Sequence, residues 1–168
     1  MRQRAMGAGR GMALALGLAA IQLSGCSGAD PAAKTADVQQ ASKMPVTITT
    51  ASGKQQLHVE QARTAAEQQQ GLMYRTDLKR DDGMLFAPYP PEGGGPREAS
   101  FWMKNTPTSL DIIFIRADGT IARIAENTTP FSETPIPSGE PVAAVLELVG
   151  GRAAELGLSE GDSVSWAK

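Results

Sequence analysis

Two carboxylates stand in unusual company. Asp111 opens the apolar run Asp111-Ile112-Ile113-Phe114-Ile115, and Glu147 interrupts Val145-Leu146-Glu147-Leu148. A carboxylate on a strand built for burial needs a partner or a task. If Asp111 and Glu147 met at one cleft they could act as acid and base in the hydrolysis of a glycan. Strand alternation puts Glu147 with Val145 and Val149, opposite Leu146 and Leu148. Arg75 is its candidate partner, because a guanidinium grips a carboxylate through two hydrogen bonds and stays charged. Trp102, Asn105 and Thr106 lie where one strand leaves a sheet and the strand beginning at Asp111 enters it, the usual place for displayed groups. With Arg75 and Asp111 they form the candidate ligand-binding set, in which Trp102 would stack on a sugar ring or a peptide. Asn, Thr and Asp also bind nearby loop amides, a plainer use of the same residues. Met73, Met84 and Met103 offer soft thioethers suited to Cu(I). Each adjoins Leu or Trp and none has M-x-M or M-x-x-M spacing, so core filling is the expected role. His58, between Leu57 and Val59, faces outward and supplies one metal ligand but no cluster. Gly93-Gly94-Gly95 is not followed by Gly-Lys-Ser/Thr, so no phosphate cradle and no cofactor are expected.

The remaining reactive side chain is Cys26, the sole cysteine. Arg2, Arg4 and Arg10 precede an apolar run from Met12 to Ile21 that is too short to span a bilayer, and Leu23-Ser24-Gly25-Cys26 follows. These residues resemble a bacterial lipoprotein signal. The resemblance implies cleavage before Cys26, lipid on its sulfur and an acylated (palmitate-type) new terminus, so that the body hangs from a membrane by its acyl chains. Ser27 at the next position implies the outer membrane, if the host has two, and a periplasm-facing body. Cleavage leaves 143 of the 168 residues, with 13 basic and 18 acidic side chains, a net charge of about −5. That balance argues against nucleic-acid binding, which needs clustered cations. With Cys26 lipidated no thiol remains for a disulfide, a nucleophile or a zinc site.

The order of elements follows from pattern. Residues 1–25 read as signal, 26–44 as a flexible tether with little to bury, and 45–168 as one globular domain. Val46 to Thr50 and Lys54 to Glu60 alternate as a strand pair around Ser52-Gly53. Thr64-Ala65-Ala66-Glu67 has the form of a capping box for a helix over Thr64 to Gln70, ended by Gly71, whose Ala62, Ala65 and Ala66 form a thin stripe for contact with a sheet. Met84 to Ala87 reads as a strand buried on both faces, Pro88 to Pro96 as a mobile loop, and Ser100 to Lys104 as a strand. Asp111 to Arg116, Asp118-Gly119 and Thr120 to Glu126 form a hairpin with a type I′ turn. Asn127 to Pro141, with four prolines, reads as a surface connection. Val142 to Val149 is a strand, Arg152 to Leu156 a helix ended by Gly157, and Ser163 to Trp166 a last strand.

The blocks Gly71-Leu72-Met73-Tyr74-Arg75, Gly83-Met84-Leu85-Phe86, Phe101-Trp102-Met103-Lys104-Asn105-Thr106, Leu110 to Ile115, Val145 to Leu148 and Gly161-Asp162, in this order, resemble the domain of unknown function 192 family. The resemblance covers roughly residues 57 to 166. It implies a compact, largely β domain, often behind a signal or anchor, and assigns no reaction; the Pro-Gly insertion at Pro88 to Arg97 is longer than usual. The expected fold is mostly β (α+β), a compact twisted antiparallel sheet or small β-barrel with two short helices. The expected function is a non-catalytic, lipid-anchored envelope module that binds a small ligand or a protein partner. The alternatives are a hydrolase of envelope polymers using Asp111 and Glu147 and, less favoured, copper binding by the three methionines.

Overall fold

The computed structural model describes residues 43–167. The signal segment, Cys26 and nearly all of the expected tether therefore lie outside the described residues. Strands β1 (Met44–Thr50), β2 (Gly53–Ala62), β3 (Gly83–Phe86), β5 (Leu110–Ile115), β6 (Ile121–Ala125), β8 (Ala144–Val149) and β9 (Ser163–Trp166) form one sheet in the order β6-β5-β8-β3-β2-β1-β9. Strands β4 (Arg97–Phe101) and β7 (Ile136–Val142) form a separate antiparallel pair. The helices are α1 (Ala65–Gln70) and α2 (Arg152–Leu156). The large sheet curls into a half-barrel whose free edges meet at the Thr120–Ser163 bridge, where the Ile121 amide donates to Asp162 O at 2.8 Å and the Val164 amide to Gly119 O at 2.8 Å. The mostly β class, the curl and the two short helices agree with the sequence reading.

Two apolar layers hold the sheet. One draws on all seven of its strands, among them Ile48, Val59, Leu85, Ile113, Ile121, Leu146 and Val164, and fills the inside of the curl; Ala153 and Leu156 of α2 pack into it. The other lies on the outer face of β3, β5 and β8, where Phe86, Ile112, Phe114 and Val145 meet Ala99 and Val142 of the β4–β7 pair, with Met103 beside them. Residues opposite one another across a ladder share a face. Strands β3 and β5 are thus buried on both sides, which is why their sequences, Asp111 apart, are apolar throughout rather than alternating. Gly83 is required by this packing, since a Cβ there would lie 2.3 Å from Glu147 O and 2.8 Å from Leu148 Cδ2.

Four local expectations need correction. The hairpin turn is not type I′: Gly119 has φ +87° while Asp118 stays at negative φ, the Gly119 amide donates to Arg116 O at 3.0 Å, and the Arg116 amide donates to Thr120 O at 2.9 Å. This is a three-residue loop in which glycine alone takes the left-handed position, and Asp118 accepts from the Thr120 amide and hydroxyl. The strand expected at Ser100 to Lys104 is shifted to Arg97–Phe101, so Trp102 leaves the ladder. The connection expected from Asn127 to Pro141 contains β7, and the chain crosses between sheets at Ala143 rather than running as one strand from Val142. The capping box at Thr64 and Glu67 is present, but α1 buries none of its residues; Ala65 and Ala66 are exposed. α1 belongs instead to the crossover joining β2 to β3, the one parallel pair of the sheet.

Candidate functional site

Register decides which side chains can meet. Across β2, β3, β8 and β5, Glu60, Met84, Glu147 and Ile112 stand in one row and point to the outer face. Asp111 stands opposite Leu148, whose side chain joins the inner layer. The two carboxylates are therefore on opposite faces of the sheet and cannot share a substrate. Asp111 is fully buried and already occupied: Oδ1 accepts from the Asn127 amide at 2.7 Å and the Gly151 amide at 3.0 Å, and Oδ2 accepts from the Ala153 amide at 2.8 Å. It ties the chain leaving β6 to the start of α2, the plainer use of an aspartate at a strand end.

Arg75 does not pair with Glu147. Its Nη1 donates to Glu60 at 2.9 Å, while Nε and Nη2 donate to Asp77 at 2.8 and 3.2 Å. The hydrogen bonds that Arg75 donates to Asp77 and Glu60 raise the guanidinium pKa above its ordinary value, and Asp77 is lowered chiefly by the same contact.

Glu147 is left alone. It is 4% exposed, and no hydrogen bond or ion pair to its carboxyl exists among the described residues. Burial alone pushes its pKa up to about 8. It forms part of the wall of a cleft of about 340 Å³ whose other walls are α1 with Gly71, Leu72 and Met73, then Phe86, the Tyr89 to Arg97 segment, and Ser100, Phe101, Trp102 and Thr106. Phe101 packs edge-on against both Phe86 and Phe114, with ring centroids 5.1 and 6.0 Å apart. Trp102 is 45% exposed, with Lys104 Nζ 5.0 Å from its ring centre. Arg97 lies over Tyr89 at 5.8 Å and pairs with Glu92 at 2.7 Å.

Of the expected ligand-binding set, Trp102 and Thr106 line this cleft; Asn105, Arg75 and Asp111 do not. Thr106 donates its hydroxyl to Lys104 O at 3.1 Å. Asn105 takes φ +55° and its carbonyl accepts from the Tyr74 amide at 2.8 Å, while the Phe131 amide donates to Thr106 O at 3.1 Å. Tyr74 and Phe131 also have positive φ and expose their rings, so three left-handed residues converge on the turn beside Trp102. Such backbone is costly for bulky residues and gathers where a surface is put to use.

The methionines are dispersed in role: Met73 lines the cleft, Met84 stands beside Glu147 in the register row, and Met103 is fully buried with its sulfur accepting the Thr128 hydroxyl at 3.0 Å. His58 is exposed. Among the described residues no group of three His, Cys, Asp or Glu side chains could hold a metal.

A larger concavity of about 570 Å³ opens at the end of the half-barrel, between the β5–β6 turn and β9. Its polar side chains are already engaged: Arg116 with Glu140 and Thr120, Gln61 with Arg63 and the Ala87 carbonyl, Asp118 with Thr120. Unmet polarity, not size, marks the Glu147 cleft as the functional candidate. Its lining residues Gln68, Phe86, Tyr89 and Arg97 were not anticipated; the one available signal was the acidic residue inside an apolar strand.

The fold is a curled β half-barrel with a small cleft beside the buried Glu147. The family model for the domain of unknown function 192, described as an uncharacterised ACR, matches residues 46–166, and the chain belongs to that family. It is similar to a crystal structure of a protein of unknown function from Novosphingobium aromaticivorans, at 46% identity and a TM-score of 0.70, covering 77% of this chain and 89% of that one. It is also similar to a Sinorhizobium meliloti protein described as a "putative transcription regulator", at 45% identity and a TM-score of 0.69, covering 75% and 95%. No curated protein matches the chain.

Proposed function

We propose that the chain is a non-catalytic binding module of the bacterial envelope, tethered by lipid on Cys26 and holding a small ligand in the cleft above Glu147. The observation that carries the reading is a buried, unpartnered carboxyl opening into a cleft of ligand size, with aromatic side chains around it. A structural role does not account for Glu147, since nothing among the described residues binds its carboxyl. Hydrolysis by a carboxylate pair loses its support from the placement of Asp111 on the opposite face. The transcription-regulator description belongs to the relative; the acidic balance of this chain favours a small-molecule or protein partner over nucleic acid.

A thermal-shift screen of sugars, peptides and metal ions tests the cleft. Cleft ligands should raise the melting temperature of the wild-type chain, and Trp102→Ala should abolish that rise by removing the rim. Hits whose shifts persist in both Trp102→Ala and Glu147→Gln would place binding elsewhere. The anchor has its own test. Expressed in a bacterium, the full chain should fractionate with membranes and incorporate labelled palmitate, while Cys26→Ser should do neither; equal membrane recovery of the two would remove the anchor from the reading.

A further inference from the structure

Two side chains that line the cleft carry acceptors with no donor among the described residues. Gln68 Nε2 donates to the carbonyls of Ala62 at 3.1 Å and Pro88 at 2.7 Å. Those bonds fix the amide's orientation, because a flipped amide would set its oxygen against two carbonyl oxygens. Gln68 Oε1 is left buried with no partner. The carboxyl of Glu147 is the second unmet group, and both residues line the same cleft. Aromatic faces at the rim already attract positive charge, Lys104 over Trp102 and Arg97 over Tyr89.

We propose that the cleft takes a ligand ending in an amino or guanidino group, whose N–H donors satisfy Glu147 while its apolar body lies against Phe86, Phe101 and Trp102. The inference rests on the reading of the cleft as a ligand site and names the ligand's chemistry. A hydroxyl brings one donor and no charge. An ammonium brings three donors and a guanidinium five, each with the charge that a carboxylate lacks a partner for. The fixed charges near Glu147 do not compete: Arg97 pairs with Glu92 on the loop before β4, and Arg75 is held by Glu60 and Asp77. The carboxyl proton goes to solvent when the cation binds, so the complex is a carboxylate–ammonium pair formed with release of one proton.

Calorimetric titration of the full chain with 2-phenylethylamine and 2-phenylethylguanidine, against 2-phenylethanol as the neutral isostere, tests this. The cations should bind at least about tenfold more tightly than the alcohol, and binding should strengthen about tenfold or more between about pH 6 and pH 8.5, with buffer-dependent heats reporting proton release at the lower pH. Glu147→Gln should erase the preference for the cation while leaving the alcohol's affinity within about threefold. Equal binding of cation and alcohol overturns the inference and leaves the cleft as a ligand site. No effect of either cation overturns the inference too, and the cleft reading then stands or falls on the sugar, peptide and metal screen.

Discussion

Asp111→Ala should be the most damaging single substitution at a polar position of this domain, lowering stability by on the order of 4 kcal/mol. Three amides, of Asn127, Gly151 and Ala153, lose their only side-chain acceptor, the Ala153 bond being buried and the other two part-buried. Each buried donor left unmet costs about 1–3 kcal/mol, and the bonds lost are the stronger, charge-assisted kind. The loss is a large part of the roughly 5–15 kcal/mol that a domain of this size holds. Asp111→Asn keeps one oxygen, enough for Asn127 and Gly151, but turns an NH₂ toward the Ala153 amide, so an intermediate loss of about 2 kcal/mol is expected. Urea denaturation of the three proteins measures both. An Asp111→Ala midpoint equal to that of wild type would show that these amides find other acceptors, and the fastening of α2 to β5 would have to be sought elsewhere.

Glu147→Gln should do the opposite and stabilise the fold at alkaline pH. The carboxyl ionises near 4.5 in the unfolded chain, whereas burial holds it protonated up to about 8 in the folded one. Between those values the folded state carries one proton more than the unfolded state. Stability is therefore full below about pH 4.5 and falls as pH rises toward 8, at up to about 1.4 kcal/mol per unit, then levels off. Glutamine has no such cost, so at about pH 8 the variant should exceed wild type by on the order of 3 kcal/mol, with the two curves converging in acid. Asp82, lowered in part by its hydrogen bond from Lys43, contributes in the reverse direction at lower pH in both proteins and cancels in the comparison. Melting curves from about pH 4 to pH 9 decide the matter; parallel curves would mean that Glu147 has a partner that holds it ionised.

Much of this architecture is legible where local chemistry and long-range packing ask for the same thing. Leu110 to Ile115 is apolar at every position but Asp111 because both faces of β5 are covered, and Thr64 with Glu67 announces a helix start whatever surrounds it. β7 escaped for a definite reason. Pro137 and Pro141 read as strand breakers, but in a two-stranded ribbon each strand has one edge outside the ladder, and the register shifts between the two prolines, where Gly139 takes φ +78°. Glu147 was visible as an anomaly, while its surroundings were not. The face it occupies follows from alternation; that Glu60, in the same row, would take Arg75 depends on a parallel pairing of β2 with β3 that no local signal specifies. The cleft itself is assembled from five separated stretches, and Gln68 acquires its unmet oxygen only through carbonyls 6 and 20 residues away.

The pairing of β9 with β1, Trp166 opposite Val46 and Ser163 opposite Thr49, imposes an order in time. Until Ser163 to Trp166 have been made and delivered, β1 has a bare edge, and the opposite margin at Thr120 and Ile121 lacks its bridge as well. An incomplete chain therefore presents two sticky borders at once, the arrangement most prone to join with another copy. Closure of the sheet therefore waits for the arrival of Ser163 to Trp166. A chaperone acting on the nascent form would have to shield both margins until then.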